Sequence, residues 1–170
     1  MKSITTITDL LSNILEPKKT VFIGLGNVLK NDDGVGVYLI RKLIDMYGNE
    51  LKNGVKLFDV GISLENYLTK ILSLEPKTII FFDAISPKQS FCKEIEILTK
   101  ENLENYTFST HNVSLSTIIE YLQFYTQKNV YETYVVGIKT YNTNFGETID
   151  DKVKNTVEYI IAQIKDWVKE

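Results

Sequence analysis

The stretch TVFIGLGNVLKNDDGVGVY, residues 20–38, constrains the fold more than any other part of the chain. A β-branched run collapses into two glycines, then two adjacent aspartates, then glycines again, before apolar residues at helical spacing begin. Strand, glycine turn and helix in that order form the opening unit of an open α/β sheet, where a parallel strand hands the chain to a crossover helix. Turns of this kind cradle phosphate in dinucleotide-binding domains, but Asp32 and Asp33 would repel a phosphate. The fingerprint G-x-G-x-x-G also fails at its third glycine, because the residues are Gly24, Leu25, Gly26, Asn27, Val28 and Leu29. Acid at a helix start complements the macrodipole, so Asp32 or Asp33 reads as a cap. One cap leaves the other aspartate in a loop with no apolar reason to exist.

The rest of the chain alternates in the same way. Strand-like runs are VKLFDV (55–60), KTIIFFDAI (77–85), CKEIEIL (92–98) and ETYVVGIKT (132–140). Between them Gly36, Leu39, Ile40, Leu43, Ile44 and Tyr47 line one helical face, and Leu115, Ile118, Ile119, Leu122 and Tyr125 line another. A weaker helix is expected over 64–72, and Val153, Val157, Ile160, Ile161, Ile164 and Trp167 mark the last. The pattern predicts an α/β three-layer sandwich around a mixed, mostly parallel sheet of about five strands. CKEIEIL follows IIFFDAI with no room for a crossover helix, so these two runs are expected to be antiparallel neighbours.

With 170 residues and 44% hydrophobic content the chain suits one domain, 1–170, with residues 1–18 as an N-terminal helical extension. A net charge of −3 with no basic stripe argues against a nucleic-acid partner. No apolar run approaches the roughly 20 residues of a membrane span, and the N-terminus lacks a signal-type apolar block, so the expected location is the cytoplasm. A single cysteine, Cys92, forbids an internal disulfide and a cysteine-based zinc site.

In an open α/β sheet ligands bind beyond the carboxyl ends of the strands. There the sequence supplies Asn27, Asp32 and Asp33 after the first strand, Asp59 at the second and Asp83 at the third. The only histidine, His111, lies in FSTHNVSLS before a helix. No G-x-S-x-G elbow, P-loop or H-E-x-x-H is present, and Cys92 falls inside an apparent strand. Two or three carboxylates and one imidazole suit a divalent transition metal with positions left open for water or substrate.

GLGNVLKNDDGVGV, FDVG, IIFFDAI, STHNVSLS and GIKTYNTNFGETID, in that order, resemble the hydrogenase maturation endopeptidases from about Thr20 to the final helix. Those proteases trim the C-terminal tail from the precursor of a [NiFe]-hydrogenase large subunit. The resemblance implies nickel contacts at Asp33, Asp83 and His111, with Asp33 or Asp83 as the catalytic base. Asn27 and Asp59 are the candidate substrate-binding residues. Asp59 matches an acidic position of the family in which Val60 interrupts the usual glycine pair. The resemblance further implies that nickel is supplied by the precursor, as a checkpoint that the active-site metal is in place. Peptide cleavage could follow either from polarisation of the scissile carbonyl or from a carboxylate activating water. A non-catalytic module that docks on nickel-loaded precursor would need the same residues, and a nucleotide-binding enzyme using the glycine turn stands as a third reading.

Overall fold

The computed structural model describes residues 4–88, 91–108, 114–125 and 132–169. The strands are β1 (Thr20–Leu25), β2 (Lys56–Gly61), β3 (Thr78–Pro87), β4 (Ile95–Leu98), β5 (Tyr106–Thr107) and β6 (Glu132–Lys139). The helices are α1 (Ile7–Ser12), α2 (Val35–Tyr47), α3 (Leu68–Ser73), α4 (Leu115–Tyr125) and α5 (Asp151–Lys169). The sheet runs β2-β1-β3-β6-β4, with the two-residue β5 paired to the end of β3. β2, β1, β3 and β6 are mutually parallel, while β4 is antiparallel to β6.

Strand residues alternate between two cores, which is why the central strands are apolar almost throughout. Phe22, Ile80, Phe82, Ala84, Val136 and Ile138 face α2 and α5. Val21, Ile23, Ile79, Phe81, Ile85 and Val135 belong to the opposite core with α3 and α4. This is the expected three-layer arrangement. Phe22, Phe81 and Phe82 are wholly buried, and each such side chain contributes about 1.5–3 kcal/mol of transfer free energy.

The N-terminal helix is part of this core. Thr6 caps α1 by accepting the Asp9 N–H through Oγ1 at 3.1 Å. Ile7, Leu10 and Leu11 are buried in the α2/α5 core, and Thr8 donates to Gln163 of α5 at 2.9 Å.

One expected pairing is wrong. The 92–98 run does become a strand, but its neighbour is β6, with Ile95 opposite Ile138 and Leu98 opposite Val135. β6 inserts between β3 and β4 because Val135, Val136 and Ile138 are apolar on both faces and need full cover. Ile95 and Glu96 are only partly buried, which suits an edge. The antiparallel partner of β3 is instead β5, through Ser86 with Thr107 and Pro87 with Tyr106.

The connections create the site. From β1 the chain passes through α2 to β2 on one side. From β2 it returns through α3, on the opposite face, to β3 on the other side of β1. The strand order therefore reverses between β1 and β3, and the loops at their carboxyl ends diverge. Such a switch point is where open α/β sheets form a ligand crevice.

Candidate active site at the β1–β3 switch point

Two of the sequence-predicted carboxylates stand on elements that border this crevice. Asp33 lies in the short 3-10 turn Asn31–Gly34 after β1, and Asp83 lies in β3 opposite Gly137 of β6. The turn packs against β3, and both aspartates are fully buried at 0% exposure. What lets α2 follow so closely on the sheet is Gly36. A Cβ there would lie 2.0 Å from the Phe82 carbonyl oxygen and 2.4 Å from that of Leu25. Only glycine lets the first turn of α2 rest on the ends of β1 and β3. The close approach that a third fingerprint glycine would give is thus made seven residues further on.

The loop holds Asp33 from its own backbone. Asp33 Oδ2 accepts the Asn27 N–H at 3.0 Å, and the Asn27 side chain accepts the Leu29 N–H at 2.9 Å. Gly26, at φ 132°, permits the tight return, because a Cβ there would meet the Asp33 carbonyl at 2.0 Å. In β3, Asp83 Oδ1 accepts the neighbouring Ala84 N–H at 2.8 Å. Strand alternation sets Asp83 with Phe81 and Ile85 on the α3/α4 face.

Asp59 does not join them. It pairs in register with Gly24 and faces α2, where its Oδ2 accepts Arg41 Nε at 2.6 Å. It therefore stands on the opposite face of the sheet from Asp83. His111 lies outside the described residues. Among the described residues no three His, Cys, Asp or Glu side chains form a group that could hold a metal.

Asp32 is not a helix cap. Gly34 occupies the N-cap of α2 with no side-chain cap bond. The Asp32 carboxylate, wholly buried, instead accepts three backbone N–H groups from the loop after β6. Tyr141 and Asn142 donate to Oδ2 at 2.9 and 2.8 Å, and Asp150 donates to Oδ1 at 2.7 Å. Asn31 acts beside it, with Oδ1 accepting the Thr148 N–H at 3.0 Å and Nδ2 donating to the Asn144 carbonyl at 3.1 Å. These fasteners were missed in the sequence. Their signal is present as the turn-forming residues of YNTNFGETID, whose partner 110 residues away no local pattern reveals. The same loop is tied to β4 by the Tyr141 hydroxyl, which donates to Glu94 at 2.8 Å and whose pKa this bond raises to about 12.

Cys92 is buried and reduced, and burial pushes its thiol above the ordinary range. It does not lie at the switch point. A cavity of about 990 Å³ opens among Lys100, Leu103, Tyr106, Phe108 and Leu115, none of which is a site carboxylate. The buried carboxylates rather than cavity size mark the site.

Two buried carboxylates at a switch point, held by a backbone-cradled loop, suit a hydrolytic site, and comparison with known proteins decides its kind. Residues 37–167 match the family model described as HycI, hydrogenase maturation protease. This chain belongs to the hydrogenase maturation proteases. A Methanocaldococcus jannaschii protein named for a hydrogenase maturation protease is 33% identical over 169 residues, covering 92% of this chain and 96% of its own length. The hydrogenase 3 maturation protease of Escherichia coli K12 is 25% identical over 152 residues, 86% of this chain and 89% of that one. In fold, the chain resembles the crystal structure of the [NiFe] hydrogenase maturation protease HycI from Thermococcus kodakarensis, with a TM-score of 0.76 at 22% identity. The alignment covers 95% of this chain and 99% of the other. As a hydrogenase maturation protease the chain is a peptidase. Among its described residues no helix is long and apolar enough to cross a membrane.

Proposed function

We propose that this protease removes the C-terminal peptide from the precursor of a [NiFe]-hydrogenase large subunit, and that it acts on precursor already carrying nickel. The observation that supports this most is the pair Asp33 and Asp83, both at 0% exposure on either side of the switch point. Buried carboxylates are costly to keep ionised unless a cation or hydrogen bonds compensate them. Two carboxylates, with the imidazole of His111 as the third donor, fit a borderline divalent ion that the precursor also holds. Nickel so placed would polarise the scissile carbonyl.

The chain's own residues do the rest. The Asn27 N–H fixes one oxygen of Asp33, so the carboxylate presents a constant geometry to whatever enters the crevice. Asp83 sits on a rigid central strand rather than a loop. Either carboxylate can take a proton from an attacking water, and the fixed geometry keeps that acceptor within reach of one face of the substrate. A nucleotide reading fits poorly, since phosphate would meet two buried aspartates and a turn already filled by its own backbone.

The test is cleavage of matched precursor samples that are metal-free, zinc-loaded and nickel-loaded. Cleavage should be fast only with nickel, because zinc prefers a closed four-coordinate shell and accepts further oxygen ligands less readily. Equal rates on all three would leave a peptidase without a metal checkpoint. Stable binding of nickel-loaded precursor with no size change would favour a docking module.

A further inference from the structure

Four of the exposed apolar residues stand in the loops that follow β1, β2 and β6, at the edge of the sheet that carries the site. Val28 is 39% exposed and Leu29 54% in the loop after β1, Ile62 is 49% exposed just after β2, and Phe145 is 84% exposed in the loop after β6. The backbones carrying them are bonded to one another. Gly146 N–H donates to the Leu29 carbonyl at 2.9 Å, Asn31 N–H to the Gly146 carbonyl at 2.7 Å, and Gly26 N–H to the Gly61 carbonyl at 3.0 Å. Isolated exposed apolar residues are ordinary, but a contiguous group at a functional edge is not.

Phe145 is the telling member. A phenyl ring at a loop tip gains nothing in folding by standing in water, yet both of its neighbours are pinned. The Asn144 carbonyl accepts Asn31 Nδ2 and Gly146 bonds on both sides, while Asp32 holds Tyr141, Asn142 and Asp150. The loop's ordering cost is thereby met in the free protein, which is how a rigid contact surface gains affinity. Lys30, between Leu29 and Asn31, places its ammonium 5.7 Å from the centre of the Phe145 ring. Glu147 instead lines a neighbouring cleft of about 340 Å³ with Tyr38 and Arg41. The apolar group thus has the Lys30 cation beside Phe145, on a chain whose net charge is −3.

We propose that Val28, Leu29, Ile62 and Phe145 form a preformed docking ridge for the folded body of the precursor, meeting an apolar patch bordered by a carboxylate that pairs with Lys30. This rests on the protease reading above. The occupant follows from continuity, since the loop that carries Val28 and Leu29 also cradles Asp33. A protein substrate whose tail reaches Asp33 and Asp83 must lie against this rim. Aromatic side chains are what protein interfaces favour at their centre, and charged ones such as Lys30 belong at the rim.

Steady-state cleavage of full-length nickel-loaded precursor tests the ridge. Phe145→Ser and Leu29→Ser should each raise KM about tenfold with kcat within about twofold, as expected for loss of an anchor that binds ground and transition states alike. Unfolding midpoints should match the wild type. Lys30→Glu should raise KM and remove most of its dependence on ionic strength. Phe124→Ser, at a site 72% exposed on α4, serves as the control and should keep the wild-type KM. No cleavage by the wild type would overturn the protease reading, and the ridge with it. A cleaving wild type with unchanged KM in Phe145→Ser and Leu29→Ser, or an equal rise in Phe124→Ser, would overturn the ridge alone.

Discussion

Asp32 and Asn142 are bonded to each other twice, although 110 residues separate them. The Asn142 N–H donates to Asp32 Oδ2 at 2.8 Å, and the Asp32 N–H donates to the Asn142 carbonyl at 3.0 Å. The first joins side chain to backbone and the second backbone to backbone, so neither loop can shift without breaking both. Because Asp33 follows directly, the loop after β6 fixes the height of the site's carboxylate above the sheet.

Substitution at Asp32 should therefore cost more than loss of a helix cap. Asp32→Ala takes the acceptor from three backbone N–H groups bonded to one buried carboxylate and should lower stability by about 2–4 kcal/mol. Asp32→Asn keeps one acceptor oxygen but turns an NH₂ toward N–H donors, and about 2–4 kcal/mol is expected. Denaturant unfolding of both variants checks this. A loss near 0.5 kcal/mol in either would show that water replaces the carboxylate freely.

Gly36 sets a second expectation. Its added Cβ in Gly36→Ala would meet two backbone carbonyl oxygens, neither of which belongs to a flexible side chain. The helix must lift from β1 and β3, at a cost of about 1–3 kcal/mol or more. Since the lift moves the turn that carries Asp33 relative to β3, cleavage should fall further than stability alone explains at temperatures well below the unfolding midpoint. Wild-type cleavage with a normal midpoint would refute the close packing.

These cases show what could be read from the sequence. Alternation of apolar periods located β1, β2, β3, β6 and every long helix to within a few residues, because burial on one or two faces writes itself locally. GLGN…DDG marked the turn after β1 but did not by itself separate Asp32 from Asp33. The neighbour of β4 was not legible, since pairing depends on which strand most needs cover and not on chain proximity. Nor was the role of Asp32, whose partners lie beyond any window. Asp59 stands at a strand end like Asp83, and the face it takes could not be read locally: its register with Gly24 and its bond to Arg41 set it toward α2.

Cys92 should be a bystander. Burial, the leading cause, raises its thiol pKa, reinforced by Glu96 and Glu94 and opposed by Lys139. Thiolate is the reactive form, so folded protein should alkylate slowly at pH 7–8 and keep its cleavage rate. The folded state binds the thiol proton more tightly than the unfolded chain does. The resulting stabilisation is complete below the unfolded value, about 8.5, and is lost as pH rises through the folded one. Mass spectrometry of iodoacetamide-treated protein beside its activity is the measurement, and loss of cleavage in step with labelling would make Cys92 a participant.

The carboxylate pair gives the sharpest contrast between stability and activity. Asp33→Asn keeps an oxygen to accept the Asn27 N–H, and Asp83→Asn keeps one for Ala84, so both variants should fold. Each change replaces one carboxylate oxygen by an amide nitrogen at a site of 0% exposure, so the fold should survive while the site's chemistry changes. Cleavage of nickel-loaded precursor should fall at least about 100-fold, the lower range for losing a positioned acid–base group, because an amide neither accepts a proton nor ligates a divalent ion well. His111→Ala should lose cleavage similarly if the imidazole completes the donor set. Calorimetry and precursor processing measured on one preparation of each variant decide the matter. A folded Asp83→Asn that cleaves at the wild-type rate would remove β3 from the chemistry and leave Asp33 alone at the switch point.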